Sequence, residues 1–536
     1  MRNRLIRTSP GVAALIACCA LATAADGRVA LHQGGTLRVN LSNTLISTLD
    51  PAVDYEFYGG QLLYATCVRL LNYSDVPGHV GELVPEAAAG RPVVTDGGRT
   101  YTFTVRSGYR FNTGEPVTAQ SFVRAAERVL AKRAASPGAQ FYNDILGASD
   151  VLAGRDARPR GVTVHGDTIT FRLLAPSPTF PARLAMSFFC AQPPTLPVSP
   201  HGVALPPMAG PYYVASFDPR RTIVLKRNPY YHGPRAAHVD RIVVTMGTSL
   251  ETSLLQVRAG QADFDLGGLP PAGIDSLARN YGVNKGRFFV HPGLLLQYLA
   301  LNTRHGPLRD VRVRRAINLA VDRTEISRLS GRYGGRPTDQ VLVAGIPGYH
   351  DVQIYPDHPD LARAKALIGR RRLTLTMYSL TGQPFDDQAV VIAKDLAAIG
   401  MHVEVKPVEF DQLIRLVGNP GNPYDIVSIG WGPDFIDPFD YLDVLLNGNR
   451  ISAQNNVQWS LFDDPTFDKR LDAAAHLVGA RRYAAYGRID ADVMRTAAPL
   501  APLYTANVRE FVSSRFGCYT FVPALQSLSL AASCID

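Results

Sequence analysis

Tyr424-Asp425-Ile426-Val427-Ser428-Ile429-Gly430-Trp431-Gly432-Pro433-Asp434-Phe435-Ile436-Asp437-Pro438 reads as a buried strand that ends in a turn bearing a carboxylate. Ile426, Val427 and Ile429 suit a strand covered on both faces, and Gly430, Gly432 and Pro433 stop it. In open α/β sheets, ligands lie beyond the carboxyl ends of strands, which puts Asp434 where a ligand is expected. A carboxylate beside one of the chain's two tryptophans suits a cationic group with an apolar neighbour. The bland alternative makes Asp434 a loop cap and Trp431 part of the core.

Upstream of this stretch, strands alternate with helices. Asp310 caps a helix in which Val313, Ile317, Ala320 and Val321 recur at helical spacing. A strand over 373–378 leads to a helix over 387–399 closed by Gly400, then a strand over 402–405 and a helix over 411–417. Such alternation predicts a mainly parallel sheet from about residue 291 onward. Nearer the N-terminus the pattern changes. Leu37, Val39 and Leu41 alternate as in a strand, and so do 100–105 and 168–173, each of the latter two after a Gly-containing turn. Between them a helix over 118–130 presents Phe122, Ala125, Ala126 and Val129 on one face, so 75–185 forms an α+β unit. A Pro-rich break at 192–197 then leads to strands over 222–225 and 241–246 and a helix over 249–259.

At 536 residues the chain is too long for a single core, and its 46% hydrophobic and 19% charged content is that of a soluble globular protein. Arg2, Arg4 and Arg7 precede the apolar run 11–22 and the small residues Ala22-Thr23-Ala24, the pattern of a secretory signal peptide over 1–24. Leu15-Ile16-Ala17-Cys18 also resembles the lipobox of bacterial lipoproteins, whose cysteine is acylated, although the residues after Cys18 stay apolar. Both readings export the protein, either to the periplasm or to the outer face of the cytoplasmic membrane. In that oxidising setting Cys518 and Cys534, which bracket a short segment, are expected to pair, leaving Cys67 for Cys190. The net charge of +9 is scattered, with no basic and aromatic stripe for nucleic acid.

Catalytic motifs are missing: no G-x-S-x-G, no H-E-x-x-H and no phosphate-binding G-x-x-x-x-G-K-[ST]. Asp434, Asp437, Asp440 and Asp443 recur every three residues but miss the spacing of a calcium loop. A helix starting at Pro438, capped by Asp437 and with Asp440 and Asp443 near its positive end, explains three of the four. No cofactor and no metal are expected.

Four stretches together resemble the oligopeptide/dipeptide-binding family of bacterial solute-binding proteins, family 5, which serves ABC importers. They are Glu82-Leu83-Val84-Pro85-Glu86-Ala87-Ala88 followed by 101–106 and 111–119; Gly210-Pro211-Tyr212 with Leu225-Lys226-Arg227-Asn228-Pro229-Tyr230-Tyr231; Leu301-Asn302-Thr303 with 310–316 and Asp322-Arg323; and the opening stretch. The resemblance implies a two-lobed α/β periplasmic-binding-protein-like fold with an extra α+β domain and a hinge between the lobes. Lobe I would combine 25–74, 186–290 and 505–536, the extra domain would span 75–185, and lobe II 291–504. It further implies a monomer that binds a small peptide or other small solute between its lobes, without catalysis, and meets an ABC permease. By the same resemblance Asp434 matches the position that neutralises a peptide's α-ammonium, and Gly430, Trp431 and Gly432 match a segment that pairs with the ligand main chain. Tyr55, Glu56 and Phe57 align with a ligand-contacting loop, and Tyr142 is a candidate aromatic from the extra domain. Phe435 stands where the family usually has tyrosine, and Met208-Ala209 replaces the usual Gly-Thr. These departures leave other solutes open, such as a nickel chelate, an opine or a glycoside. An exported hydrolase with a two-lobed cleft is the rival from another class.

Overall fold

The computed structural model describes residues 33–42, 46–453 and 455–536, so the expected signal peptide and Cys18 lie outside the described residues. Thr36–Leu41 is a strand, as its alternation predicts, and Leu37, Val39 and Leu41 are fully buried. It lies between Phe264–Asp265 and Arg241–Met246, pairing in parallel with both. Thr222–Arg227 and Tyr212–Asp218 extend the sheet antiparallel to five strands. Its apolar face builds one core from residues before 70 and after 185, among them Tyr212, Ile242 and Leu530.

The α+β unit is a four-stranded antiparallel sheet in the order Val93–Thr95, Thr100–Thr104, Thr168–Arg172, Val162–His165. Helix Ala119–Leu130 covers it. Thr118 and Ser121 form a reciprocal capping box at its start, and Phe122, Ala125, Ala126 and Val129 are buried. This unit has a separate core.

The third sheet has six strands, in the order Gly335–Pro337, Leu500–Phe511, Phe288–Leu301, Ile426–Trp431, Leu373–Leu380, Met401–Val408. The expectation of a mainly parallel sheet is half met. Ile426–Trp431, Leu373–Leu380 and Met401–Val408 run parallel, whereas the other pairings are antiparallel. The departure comes from two long strands that the residue pattern hides, β1 (Phe288–Leu301) and β3 (Leu500–Phe511), which flank the shorter β2 (Ile426–Trp431) in the order β3-β1-β2. Both long strands contain proline, which cannot donate to a ladder. The pairing absorbs Pro292 in a register shift between His291 and Leu295, and Pro502 in a second shift at Gln297/Tyr298. Gly293 is required at the first shift, because a Cβ there would lie 2.1 Å from the Ala506 carbonyl oxygen. One end of the β1–β3 ladder, at Phe288 and Phe511, packs into a small cluster with Leu254 and Leu277. The other end, from Leu294 to Tyr504, belongs to the largest core.

Both expected disulfides form. Cys67–Cys190 joins the chain start to the segment after the α+β unit, and Cys518–Cys534 closes the tail, with Cα separations of 5.5 and 5.3 Å. A buried ion pair adds a further tie. Arg128, on the helix of the α+β unit, donates two hydrogen bonds to Asp50, at 2.8 and 2.6 Å, and both side chains are essentially inaccessible. Asp50 also accepts the Val203 N–H at 2.7 Å. Removing one member strands a buried charge, so Arg128→Met is expected to lower stability by about 3–5 kcal/mol, read as a shift of the urea unfolding midpoint.

Candidate functional site

β2 is gripped differently on its two sides. Along β1 it pairs over its whole length, from Ile426 to Trp431, but the strand Leu373–Leu380 follows it only as far as Ser428. The outer edge of the chain at Ile429 and Gly430 therefore has no strand partner among the described residues. Gly430 lies against the side chain of Gln297, and Trp431 is buried in the largest core. Gly432 and Pro433 then carry the backbone to Asp434.

The turn is clamped from behind by α2 (Phe439–Leu446), whereas α1 (Phe57–Thr66) lies across the cleft. The helix begins one residue later than expected, at Phe439 with Pro438 as its N-cap, but Asp437 still accepts the Phe439 N–H at 2.8 Å and pairs with buried Arg482 through two hydrogen bonds of 2.7 Å. Asp440 is fully buried and accepts the Asp434 backbone N–H at 2.9 Å. Asp443 is equally buried and accepts from the Tyr486 hydroxyl at 2.6 Å. The acidic run thus serves the turn's architecture, apart from the Asp434 side chain, which points outward.

Opposite it stands Tyr55, immediately before Glu56 and α1. The Tyr55 hydroxyl meets both carboxylate oxygens of Asp434, each at 2.8 Å. Its ring leans on Phe141 and Phe188, with centroids 6.0 and 5.7 Å away, yet remains 43% exposed. The two residues face a cleft of about 590 Å³ that Glu56, Phe57, Gly432 and Phe410 also line. Glu56 is turned onto the Ser47 backbone N–H and hydroxyl, whereas Phe57 is exposed.

Four candidates lie outside the cleft lining, Gly430 and three aromatic residues. Tyr142 is buried in the α+β core, stacked on Phe189 at 4.2 Å with its hydroxyl donating to the Phe188 carbonyl. Phe435 packs into the same core, and Trp431 is core as the bland reading held. These three rings are packed in the cores and do not line the cleft.

Burial pushes the Asp434 carboxyl up to about 7, and the Tyr55 hydrogen bond opposes that rise. Burial, and then the adjacent Asp434 charge, hold Asp440 well above the ordinary range. Although the residue as a whole is 43% exposed, enclosure of its hydroxyl end, and then the Asp434 charge, raise the Tyr55 phenol, which therefore stays a donor. Two further charged residues line the cleft that sequence reasoning did not single out. Asp54 is 1% exposed, and among the described residues neither carboxyl oxygen has a partner within good hydrogen-bond geometry; burial, reinforced by the Glu56 charge and opposed by the Glu56 backbone N–H, raises its pKa well above normal. Arg69 is 2% exposed and has no carboxylate partner among the described residues. Neither sits in a motif; their setting is created by segments distant in sequence. Among the described residues, no group of three or more His, Cys, Asp or Glu side chains could hold a metal ion.

Separate buried cores around a cleft, with a carboxylate at a strand's carboxyl end, define a receptor-like molecule for a small solute. The comparisons give that class its family. Residues 82–453 match the model of the bacterial extracellular solute-binding proteins, family 5 Middle, and the chain belongs to that family. The oligopeptide-binding protein OppA of Bacillus subtilis is 24% identical, over 88% of this chain and 87% of that protein. The periplasmic oligopeptide-binding protein OppA of Salmonella typhimurium is 25% identical over 95% and 94%. Di/tripeptide-binding protein 1 of Pseudomonas aeruginosa is 24% identical over 80% and 83%. Among solved structures, the clavulanic acid biosynthesis oligopeptide binding protein 2 superposes with a TM-score of 0.87 at 26% identity, covering 94% of this chain and 96% of that one. No helix among the described residues is long and apolar enough to cross a membrane.

Because the Tyr55 hydroxyl favours the ionised form of Asp434, Tyr55→Phe is expected to raise that pKa further above 7. Carboxyl ¹³C titration, with Asp434→Asn used to assign the resonance, checks the direction.

Proposed function

We propose that this chain captures short peptides in the cleft, holds their α-ammonium group on Asp434, and delivers them to the permease of an ABC importer. The observation that carries this reading is the Asp434 carboxylate, which faces the cleft and is met there by a single neutral hydroxyl. A carboxylate raised by burial gains more from a cation than one already in water, because the ammonium replaces the solvation it has lost. The main chain at Gly432 and Pro433, which lines the cleft just past the end of β2, supports the same reading. A peptide laid there can pair through its main chain, a mode indifferent to side-chain identity. Phe57 and Phe410, both exposed in the cleft wall, offer apolar contact to the ligand's side chains. The relatives named for oligopeptides and di/tripeptides point the same way.

In this reading the protein is an exported, non-enzymatic monomer. Lobe II carries Asp434 and lobe I carries Tyr55, and β1 and β3, running from one core to another, form the hinge. Ligand touches both lobes only when they close, so binding shifts the population toward the closed form that a permease can recognise.

Loss of one charge-assisted hydrogen bond costs about 1.5–3 kcal/mol, so Asp434→Asn is expected to weaken peptide binding about tenfold to a hundredfold in calorimetric titration. An N-acetylated peptide should be equally weak with both proteins. If Asp434→Asn binds free peptides as tightly as the natural protein, the ammonium role is wrong. The pH dependence has a definite shape. Asp434 must be ionised and the peptide's α-amino group protonated, so affinity declines as pH falls through about 7, by up to about tenfold per unit, and declines again as pH rises past about 8, where the ammonium loses its proton. Dissociation constants measured between pH 5.5 and 8.5 test this.

A further inference from the structure

Arg69 is a positive charge in the cleft wall with no carboxylate ion-pair partner among the described residues, its guanidinium 5.9 Å from the centre of the Tyr64 ring. Its guanidinium is held from two sides. Nε donates to the Met186 carbonyl at 3.2 Å, and Nη1 reaches the Asn72 side-chain oxygen at 3.5 Å. Nη2 has no hydrogen-bond partner among the described residues, although Arg69 is 2% exposed and lines the cleft. The carboxylate nearest in effect, Glu86, is already engaged. One of its oxygens pairs with Arg235 and the other accepts the Arg69 backbone N–H and the Asn72 amide. Arg235 is satisfied in turn by Glu86 and by the carbonyls of Tyr64 and Cys67. Burial and the neighbouring Arg235 pull Arg69 down to about 10, which still leaves it a cation at neutral pH.

A buried guanidinium without a counter-ion is costly unless something supplies the missing charge. Arginine's planar fork of donors matches a carboxylate in particular. The wall that carries it is also fixed in place. The Cys67–Cys190 disulfide lies two residues before Arg69, and Tyr73, beside Asn72, accepts the Ile436 N–H at 3.0 Å. Ile436 follows Asp434 by two residues, so this wall meets the turn that carries the acidic anchor.

We propose that Arg69 is an anion subsite of the cleft and takes a carboxylate of the bound solute. This rests on the peptide reading above and deepens it: the ligand is a zwitterion, with ammonium on Asp434 and carboxylate on Arg69. The carboxylate has two sources, the C-terminus of a short peptide or an acidic side chain of a longer one.

Calorimetry on the purified full-length mature protein separates these cases with four probes: Ala-Ala-Ala, its C-terminal amide, Ala-Glu-Ala amide and Ala-Gln-Ala amide. If the C-terminus is the source, amidating Ala-Ala-Ala weakens binding about tenfold to a hundredfold. If a side chain is the source, Ala-Glu-Ala amide exceeds Ala-Gln-Ala amide by a similar factor. In Arg69→Met either difference shrinks to less than about twofold. The proposal is overturned if the natural protein is indifferent to both changes, a comparison that needs no variant to fold. It is equally overturned if the carboxylate preference persists in a folded Arg69→Met. Acetylating the N-terminus of Ala-Ala-Ala tests the other anchor independently. A carboxylate effect without an acetylation effect removes Asp434 from the reading and leaves Arg69 in place. If no probe gives heat at two temperatures or raises the unfolding midpoint of the protein, the peptide reading falls and the subsite with it.

Discussion

Tyr55 and Asp434 stand 379 residues apart in the chain, yet a hydroxyl and a carboxylate meet across the cleft. A carboxylate withdrawn from bulk water has to be answered by something, and the structure offers a weak answer in place of a strong one. A neutral phenol stabilises the charge by hydrogen bonding alone, whereas a cation would stabilise it by hydrogen bonding and Coulomb attraction together. Arginine at the place of Tyr55 would fill the site with a permanent partner, as Arg482 does for Asp437. The contrast between these two aspartates, three residues apart, separates a structural carboxylate from one kept available.

Much of the frame that positions Asp434 was legible in the residues. β2 announces itself through Ile426, Val427 and Ile429, though it runs on through Gly430 and Trp431 and ends only at Gly432 and Pro433, and the helix expected from Pro438 starts one residue later. Helix starts at Thr118, Ser249 and Asp310 appear where their side chains predicted. These are local features, set by period, cap and turn chemistry over a dozen residues. The two longest strands were not legible, because Pro292-Gly293 and Pro502 carry the marks of breaks. Only a partner strand able to shift register makes them tolerable, and that partner lies about two hundred residues away.

The site was legible in part for the same reason. Tyr55, Glu56, Phe57, Gly432 and Asp434 gather at the cleft, whereas Tyr142, Trp431 and Phe435 turn inward. An aromatic side chain looks alike in sequence whether it lines a cavity or fills a core, and tertiary packing decides. Asp54 and Arg69 escaped notice because their meaning lies in what is absent around them. Missing partners can be seen only once Met186, Glu86 and Arg235 have been brought to their side.

The tail closed by Cys518–Cys534 adds one more wall. Ala524, Leu525 and Gln526 line the cleft, and the Gln526 side chain accepts the Leu294 N–H at 2.6 Å, next to the first register shift of β1. Of all the segments that build the cavity, this is the last to leave the ribosome. A growing chain therefore passes through synthesis with its cavity unfinished, and the chamber is completed by the same tail that adds Leu530 to the first core and Cys534 to the disulfide.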